Sequence, residues 1–382
     1  MFRMHRLAGL AVLLATGCLR EKVQYCNNGA YCPEPLICTE RTDAPFCGDP
    51  GEVEECLGQP EEAACTLPGA VKGFCETGIC RPCDPNFSFC RYETWTAMTP
   101  VTAQGPVTAQ LNDVWVAGPN ELYIAGQAGT FIRWDGRAWS ALSSIATDAE
   151  TSSIWGFGSN AIYATTVGQV SPNTRVFRFD GTAWTAQALV ASQILNEVWG
   201  ASGQLFVVGV GGYVGHYDGS TWSSSMPTGA VLNGVWGTDA DHAIAVGANA
   251  TTIRYTSGTW SPDPSGTTHI FQDVGGVGTS EFVVGRISGA TRLPAVVRHE
   301  GNTWTDMTAM LPDVGLVELR SVWVVAPNDV YAVGEGGTIV HYDGSAWTTM
   351  NSGVVVALNE IHGTSTDLFV VGAGGTVLRL SR

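Results

Sequence analysis

The chain has 382 residues, enough for two or three domains rather than one small core. Charged residues make up only 14% of it and glycine reaches 47, a mixture that argues against coiled coils, long solvated helices and charge-driven disorder and for tight turns between short buried strands. A formal net charge of −16 argues against a nucleic-acid-binding face.

The N-terminus opens with Arg3 and Arg6, followed by an apolar run from Leu7 to Ala15. A bilayer span needs ~20 apolar residues, so this run reads as the hydrophobic region of a signal peptide. It ends in Leu14-Ala15-Thr16-Gly17-Cys18, which resembles the lipobox of bacterial lipoproteins. The resemblance implies removal of residues 1–17, lipidation of Cys18, and an exported protein held on a membrane by its lipid. Leu19 after the cysteine implies, by the same resemblance, the outer membrane or the cell surface of a bacterium. The alternative is an ordinary signal peptide that happens to contain a cysteine.

Residues 18–90 are read as a stalk stapled by disulfides. The ten cysteines after Cys18 are Cys26, Cys32, Cys38, Cys47, Cys56, Cys65, Cys75, Cys80, Cys83 and Cys90, and none follows. This stretch is rich in Pro, Gly and Glu and lacks the apolar alternation needed for a core, so cross-links would have to hold it. Five disulfides are the expected framework, each adding ~2–4 kcal/mol by restricting the unfolded chain. Their pairing cannot be deduced from spacing. Cys80-Arg81-Pro82-Cys83 also matches a redox or zinc C-x-x-C, but its neighbours are more cysteines rather than a strand and helix.

From residue 91 to 382 the chain repeats. Each unit reads Leu-Asn-x-Val-Trp-Gly, a short strand ending in Val-Gly, a Gly-Thr-Ile-x-basic-aromatic-Asp-Gly segment, and x-x-Trp; the clearest copy runs from Leu319 to Met350. Closing tryptophans recur at Trp95, Trp139, Trp184, Trp222, Trp260, Trp304 and Trp347, 38 to 45 residues apart. Opening tryptophans stand at Trp115, Trp155, Trp199, Trp236 and Trp323, with Gly275 and His362 breaking the series. Each unit supplies four short strands, and Asp-Gly between the third and fourth is a tight-turn signal. The expected fold is all-β: a seven-bladed β-propeller of four-stranded antiparallel blades, preceded by a small disulfide-rich module. The chain enters with only a fourth strand and leaves with only the first three. Strand 92–98 should therefore pair with 375–380 and close the ring.

The Asp-Gly-x-x-Trp turns (Asp135, Asp180, Asp218, Asp343, with Glu300 as a variant) resemble the Asp-box of sialidase-like propellers, with one residue fewer in the turn. They are closer to the Val-Trp-Gly and Asp-Gly-x-x-Trp propellers of bacterial surface lipoproteins. Sialidases carry an Arg-Ile-Pro motif; here Arg286-Ile287 is followed by Ser288. No catalytic set emerges: His216, His242, His269, His299, His341 and His362 form no H-x-H or H-E-x-x-H pair, and there is no G-x-S-x-G. No cofactor and no metal are expected, since each Asp-Gly turn offers one carboxylate where calcium needs six or more oxygens.

Basic residues recur on the third strand (Arg133, Arg178, His216, Arg254, Arg298, His341, Arg379), readable as structural partners of acids on the first strand (Asp113, Glu197, Asp273, Glu360) or as a ring for an anion. The second-to-third and fourth-to-first connections are the long ones and share one face, which makes that face the candidate binding surface. Gln169, Asn173, Arg175, Arg286, Arg292, Asp313 and Glu318 lie on those loops, and His362 joins them as a break in the repeat. The expected function is a membrane-anchored, non-catalytic scaffold that binds a protein or glycan at the cell surface as a monomer. Two alternatives stay open: a polysaccharide hydrolase or lyase with its site on the long-loop face, and a structural or assembly factor of the envelope.

Overall fold

The computed structural model describes residues 94–382 apart from 147–148, 168–174, 190–191 and 290–291, together with short strands between 23 and 82. Two compact units divide the chain, Met1–Tyr92 and Glu93–Arg382. In the first, Val23–Tyr25 pairs with Tyr31–Pro33, and Ile37–Cys38 with Cys47–Gly48. Ala64–Leu67, Val71–Glu76 and Ile79–Pro82 form a three-stranded antiparallel sheet there. The side chains of Cys18 and of all ten later cysteines lie outside the described residues.

The second unit is a propeller of seven antiparallel four-stranded sheets. The innermost strands of blades 1 to 7 are Leu111–Gly118, Thr151–Gly156, Leu195–Ala201, Leu232–Asp239, Ile270–Val277, Leu319–Ala326 and Leu358–Gly363. In each of blades 1 to 6 the four strands follow in chain order. Blade 7 takes its fourth strand, Thr96–Met98, from the other end of the unit, with Met98 opposite Val377, Ala97 opposite Leu378 and Thr96 opposite Arg379. This pairing is shorter than the stretch 92–98 against 375–380. Gly374 and Gly375 carry φ of 68° and 76°, which no extended strand can hold, so the last blade's third strand begins at Val377.

Packing explains the repeat. Within a blade, an apolar residue at the start of the second strand faces an aromatic on the third, as Leu205 faces Tyr217 and Val330 faces Tyr342. The closing tryptophan stands opposite that aromatic, as Trp222 does to Tyr217. At three joints between blades, the opening tryptophan lies over the glycine that follows its counterpart in the next blade. A Cβ on Gly156 would fall 2.6 Å from the Trp115 ring, and one on Gly276 would fall 2.7 Å from the Trp236 ring. The Trp-Gly pair in the motif is thus one contact written in two adjacent blades. At the outer corner, Asp135 Oδ1 accepts the N–H groups of Arg137 and Ala138 at 2.9 and 2.8 Å, the same turn recurring at Asp180, Asp218 and Asp343. Those bonds favour the ionised carboxyl and hold Asp180 down to about 2.

Candidate functional site

Because strands alternate in direction, the second-to-third and fourth-to-first connections gather on one face, here called the loop face. The opposite face carries the tight turns. Of the ten large apolar side chains most exposed among the described residues, eight lie on loop-face connections: Val101, Ile194, Val210, Met226, Leu293, Met310, Leu316 and Val355. Leu316 is 65% and Val355 87% exposed.

The charged residues of this face are largely spent on one another. Arg286 Nε donates to Glu318 Oε1 at 2.9 Å, and the same oxygen accepts Gln272 Nε2 at 2.7 Å. Arg292 and Arg320 both reach Glu335, at 2.7 and 3.2 Å. Asp313 accepts the N–H of Gly315 at 3.0 Å and shapes its own turn. Arg175 is buried rather than displayed, donating to the carbonyls of Val167 and Ser192, and burial lowers its pKa. Gln169 and Asn173 lie outside the described residues.

A ring of amide latches runs beneath this face. The Asn of the Leu-Asn motif reaches the backbone of the next blade: Asn112 Nδ2 to Thr151 O at 2.8 Å, Asn196 to Leu232 O at 2.8 Å, Asn233 to Phe271 O at 2.7 Å. Ser152 does the same to Leu195 O at 2.9 Å. Asn359 closes the circle across the seam, to Leu111 O at 2.7 Å.

A second set of bonds lines the axis. The acids of the innermost strands do not pair with the third-strand basic residues. They point toward the axis and accept N–H groups of the following blade: Asp113 from Ile154 at 2.6 Å, Glu197 from Val235 at 2.8 Å, Asp273 from Val322 at 2.8 Å. Ser153 and Ser321 take the same role toward Val198 and Ile361, both at 3.2 Å, and Ser321 Oγ donates to Glu360 Oε1 at 2.5 Å. Burial pushes Asp113 up to about 6 and Asp273 upward; burial plus mutual repulsion raises Glu197 and Glu360 well above the ordinary carboxylate range. Among the described residues no three His, Cys, Asp or Glu converge to hold a metal ion.

His362, grouped above with the loop residues, instead sits on the innermost strand of blade 7. Its ring lies 4.2 Å from that of Trp323 and 5.8 Å from that of Trp155. Nδ1 accepts the N–H of Val116 at 3.3 Å, so the neutral ring carries its proton on Nε2, which has no partner among the described residues. Burial pulls its pKa down to about 3. With Trp155, Trp199, Trp236, Glu197, Asp273 and Glu360 it lines an axial cavity of about 110 Å³ where Gly275 leaves out a tryptophan.

The third-strand basic residues are not an open cationic ring. Arg133, His341 and Arg379 pair with acids that begin the second strand of their own blade: Glu121, Asp329 and Asp367, at 2.8, 2.9 and 2.7 Å. The side chains also lie against second-strand aromatics, as His341 stacks on Tyr331 at 4.3 Å and Arg298 covers Phe282 at 5.4 Å. The sheet register dictates this, because each basic residue stands directly opposite that aromatic. Arg254 reaches into the next blade, to Glu281.

No protein-family model matches the chain, and no curated protein does. Solved propellers match it in shape. One described as YCF48 bound to D1 peptide superposes with a TM-score of 0.60 at 16% identity, over 76% of this chain and 96% of that one. YCF48 from Cyanidioschyzon merolae gives 0.58 at 17%, over 75% and 98%. Virginiamycin B lyase from Staphylococcus aureus gives 0.62 at 11%, over 76% and 99%. At these identities the likeness shows the fold, and the fold is a seven-bladed propeller scaffold.

Proposed function

We propose that the chain is an exported lipoprotein, anchored through Cys18 and spaced from its membrane by a disulfide-stapled stalk. Its propeller acts as a non-catalytic scaffold that docks a protein partner on the loop face. The observation that carries the docking is that eight of the ten most exposed large apolar side chains among the described residues lie on this face, with the neighbouring charges paired off. Apolar surface left exposed on one face favours an interaction role there. A propeller of similar shape has been solved with a peptide bound, which makes a peptide segment a fitting occupant.

The test is cross-linking of the intact lipoprotein in detergent-solubilised membranes. The parent is compared with Leu316→Glu/Val355→Glu, both sites being exposed. The paired variant is expected to fold normally and lose the parent's cross-linked species. Equal yields from both would overturn docking at this face. Cys18→Ser is expected to abolish partitioning into the detergent phase, and unchanged partitioning would overturn the anchor.

A further inference from the structure

One groove breaks the repeat at three positions at once. The buried position that begins the second strand is aliphatic in every other blade, as in Leu205 or Val330, and its third-strand partner is aromatic in all but the last. Blade 5 places Glu281 and His299 there, facing one another in the sheet. The next residue of the second strand is aromatic in every blade but the fourth, where it is Ile244, so Arg254 lacks the ring its counterparts rest on.

The three departures meet between blades 4 and 5. Glu281 and His299 are 5% and 6% exposed. Arg254 crosses the groove and grips Glu281 with Nη1 and Nη2, each at 2.9 Å, while its Nε donates to Asp263 at 3.0 Å. His299 Nδ1 lies 2.9 Å from Glu281 Oε2. The same Nδ1 lies 3.2 Å from Arg254 Nη2, so it donates to Glu281 in one tautomer and accepts from Arg254 in the other. These residues line a cleft of about 470 Å³ on the turn face, opposite the docking surface proposed above.

We propose that this cleft binds a cationic, donor-rich group, the guanidinium or ammonium of a basic side chain or small amine, against Asp263. The charge balance argues for it: two carboxylates, Glu281 and Asp263, face one guanidinium, leaving room for a second positive charge. The hydrogen-bond balance agrees. Arg254's donors are turned to Glu281, Asp263 and His299 Nδ1, whereas Asp263, which accepts from Arg254 and from Trp304 Nε1 at 3.3 Å, keeps further lone pairs. The whole chain, at −16, repels anions from the approach. Structure alone does not call for the cluster, because an apolar pair fills the equivalent place in other blades and a buried ion pair rarely outdoes one.

The test is calorimetric titration of the full chain with agmatine and with the peptide Gly-Arg-Gly, beside methyl glucoside and citrate. The guanidinium probes are expected to bind the parent, at least tenfold more weakly to Asp263→Asn, and undetectably to Glu281→Leu/His299→Tyr, which restores the pair of blade 3. Melting curves establish that each variant is folded, and Asp263→Asn alone decides the matter if the double variant is not. Absence of guanidinium binding, unchanged binding in the folded variants, or preference for the sugar or the anion would overturn the proposal.

Discussion

Blades 5 and 6 share a backbone plan and differ in how they fill it. In blade 6, Val330 faces Tyr342, and Tyr331 carries a stacked His341 bonded to Asp329 at 2.9 Å. Arg382, after the last strand, also reaches Asp329 and covers Tyr331, but the Val330–Tyr342 pair itself carries no charge that needs a partner. In blade 5, Glu281 faces His299, and the pair is neutralised only by Arg254 from blade 4. An apolar pair is self-sufficient, whereas an ionic one needs a third party. The polar groove therefore adds an ionic link between two blades that Asn233 also latches, through Phe271 O.

The sharpest way to break the comparison is to give blade 6 the acid without its counter-charge. Val330→Glu buries a carboxylate among Phe282, Tyr342 and Trp347 and should cost more than ~4 kcal/mol or prevent folding, read by urea denaturation. Next comes the reverse experiment. Arg254→Met strips the cation from Glu281 and Asp263 and should cost ~3–5 kcal/mol. Adding Glu281→Leu and His299→Tyr should recover most of that loss; if it does not, Arg254 matters for something other than these acids.

A smaller effect is expected at the latches. Asn359→Ala removes the amide bond to Leu111 together with the acceptor of Arg320 Nη1, and Asn196→Ala removes the bond to Leu232 together with a 3.3 Å contact to Asn233; each should cost on the order of 1–2 kcal/mol. A much larger loss at Asn359 would show that the joint between blades 7 and 1 depends on its latch more than the joint between blades 3 and 4 does.

The smallest effect is pH-dependent. Glu360 keeps its proton in the fold to a higher pH than in the unfolded chain, so the native state binds more protons and stability falls as pH rises through that window. His362 acts oppositely. Its pKa drops from 6.5 to about 3, so the unfolded chain takes up the proton first and stability falls as pH falls below 6.5. Glu360→Gln should leave the melting temperature at pH 8 equal to or above the parent's, with the difference closing by pH 4. A lower melting temperature at pH 8 would mean that the charge itself is needed there.

The blade count was legible because a closing Trp stands in every unit and Asp-Gly marks the turn before it in four of them, and that corner is local chemistry. The Leu-Asn pattern was equally visible, but its use was not: the acceptor of Asn112 is a carbonyl 39 residues on, in another blade. The acids of the innermost strands were seen and assigned the wrong partners, since strand alternation sends them to the axis while Arg133 or Arg379 lies two strands away. His362 stood out as a missing tryptophan, yet a break in a series does not say which side of the sheet it serves. Glu281 and His299 went unremarked as a pair because each is ordinary alone. Only the register that sets them face to face, with Ile244 absent as a ring beneath Arg254, makes them a departure.

The seam also decides how the propeller would bear a load. Every joint between blades is crossed by covalent chain, the one from blade 7 to blade 1 by residues 99–110, but inside blade 7 the outer strand is held by the pairing of Thr96–Met98 with Val377–Arg379, reinforced by Thr96 Oγ1 donating to Arg379 O at 3.1 Å. Any tension entering from residue 93 reaches those bonds before it reaches another blade. Pulled along the strand, they shear together and resist as a set; pulled across it, they open one after another. The ring's tolerance of force thus depends on the angle at which the preceding chain arrives.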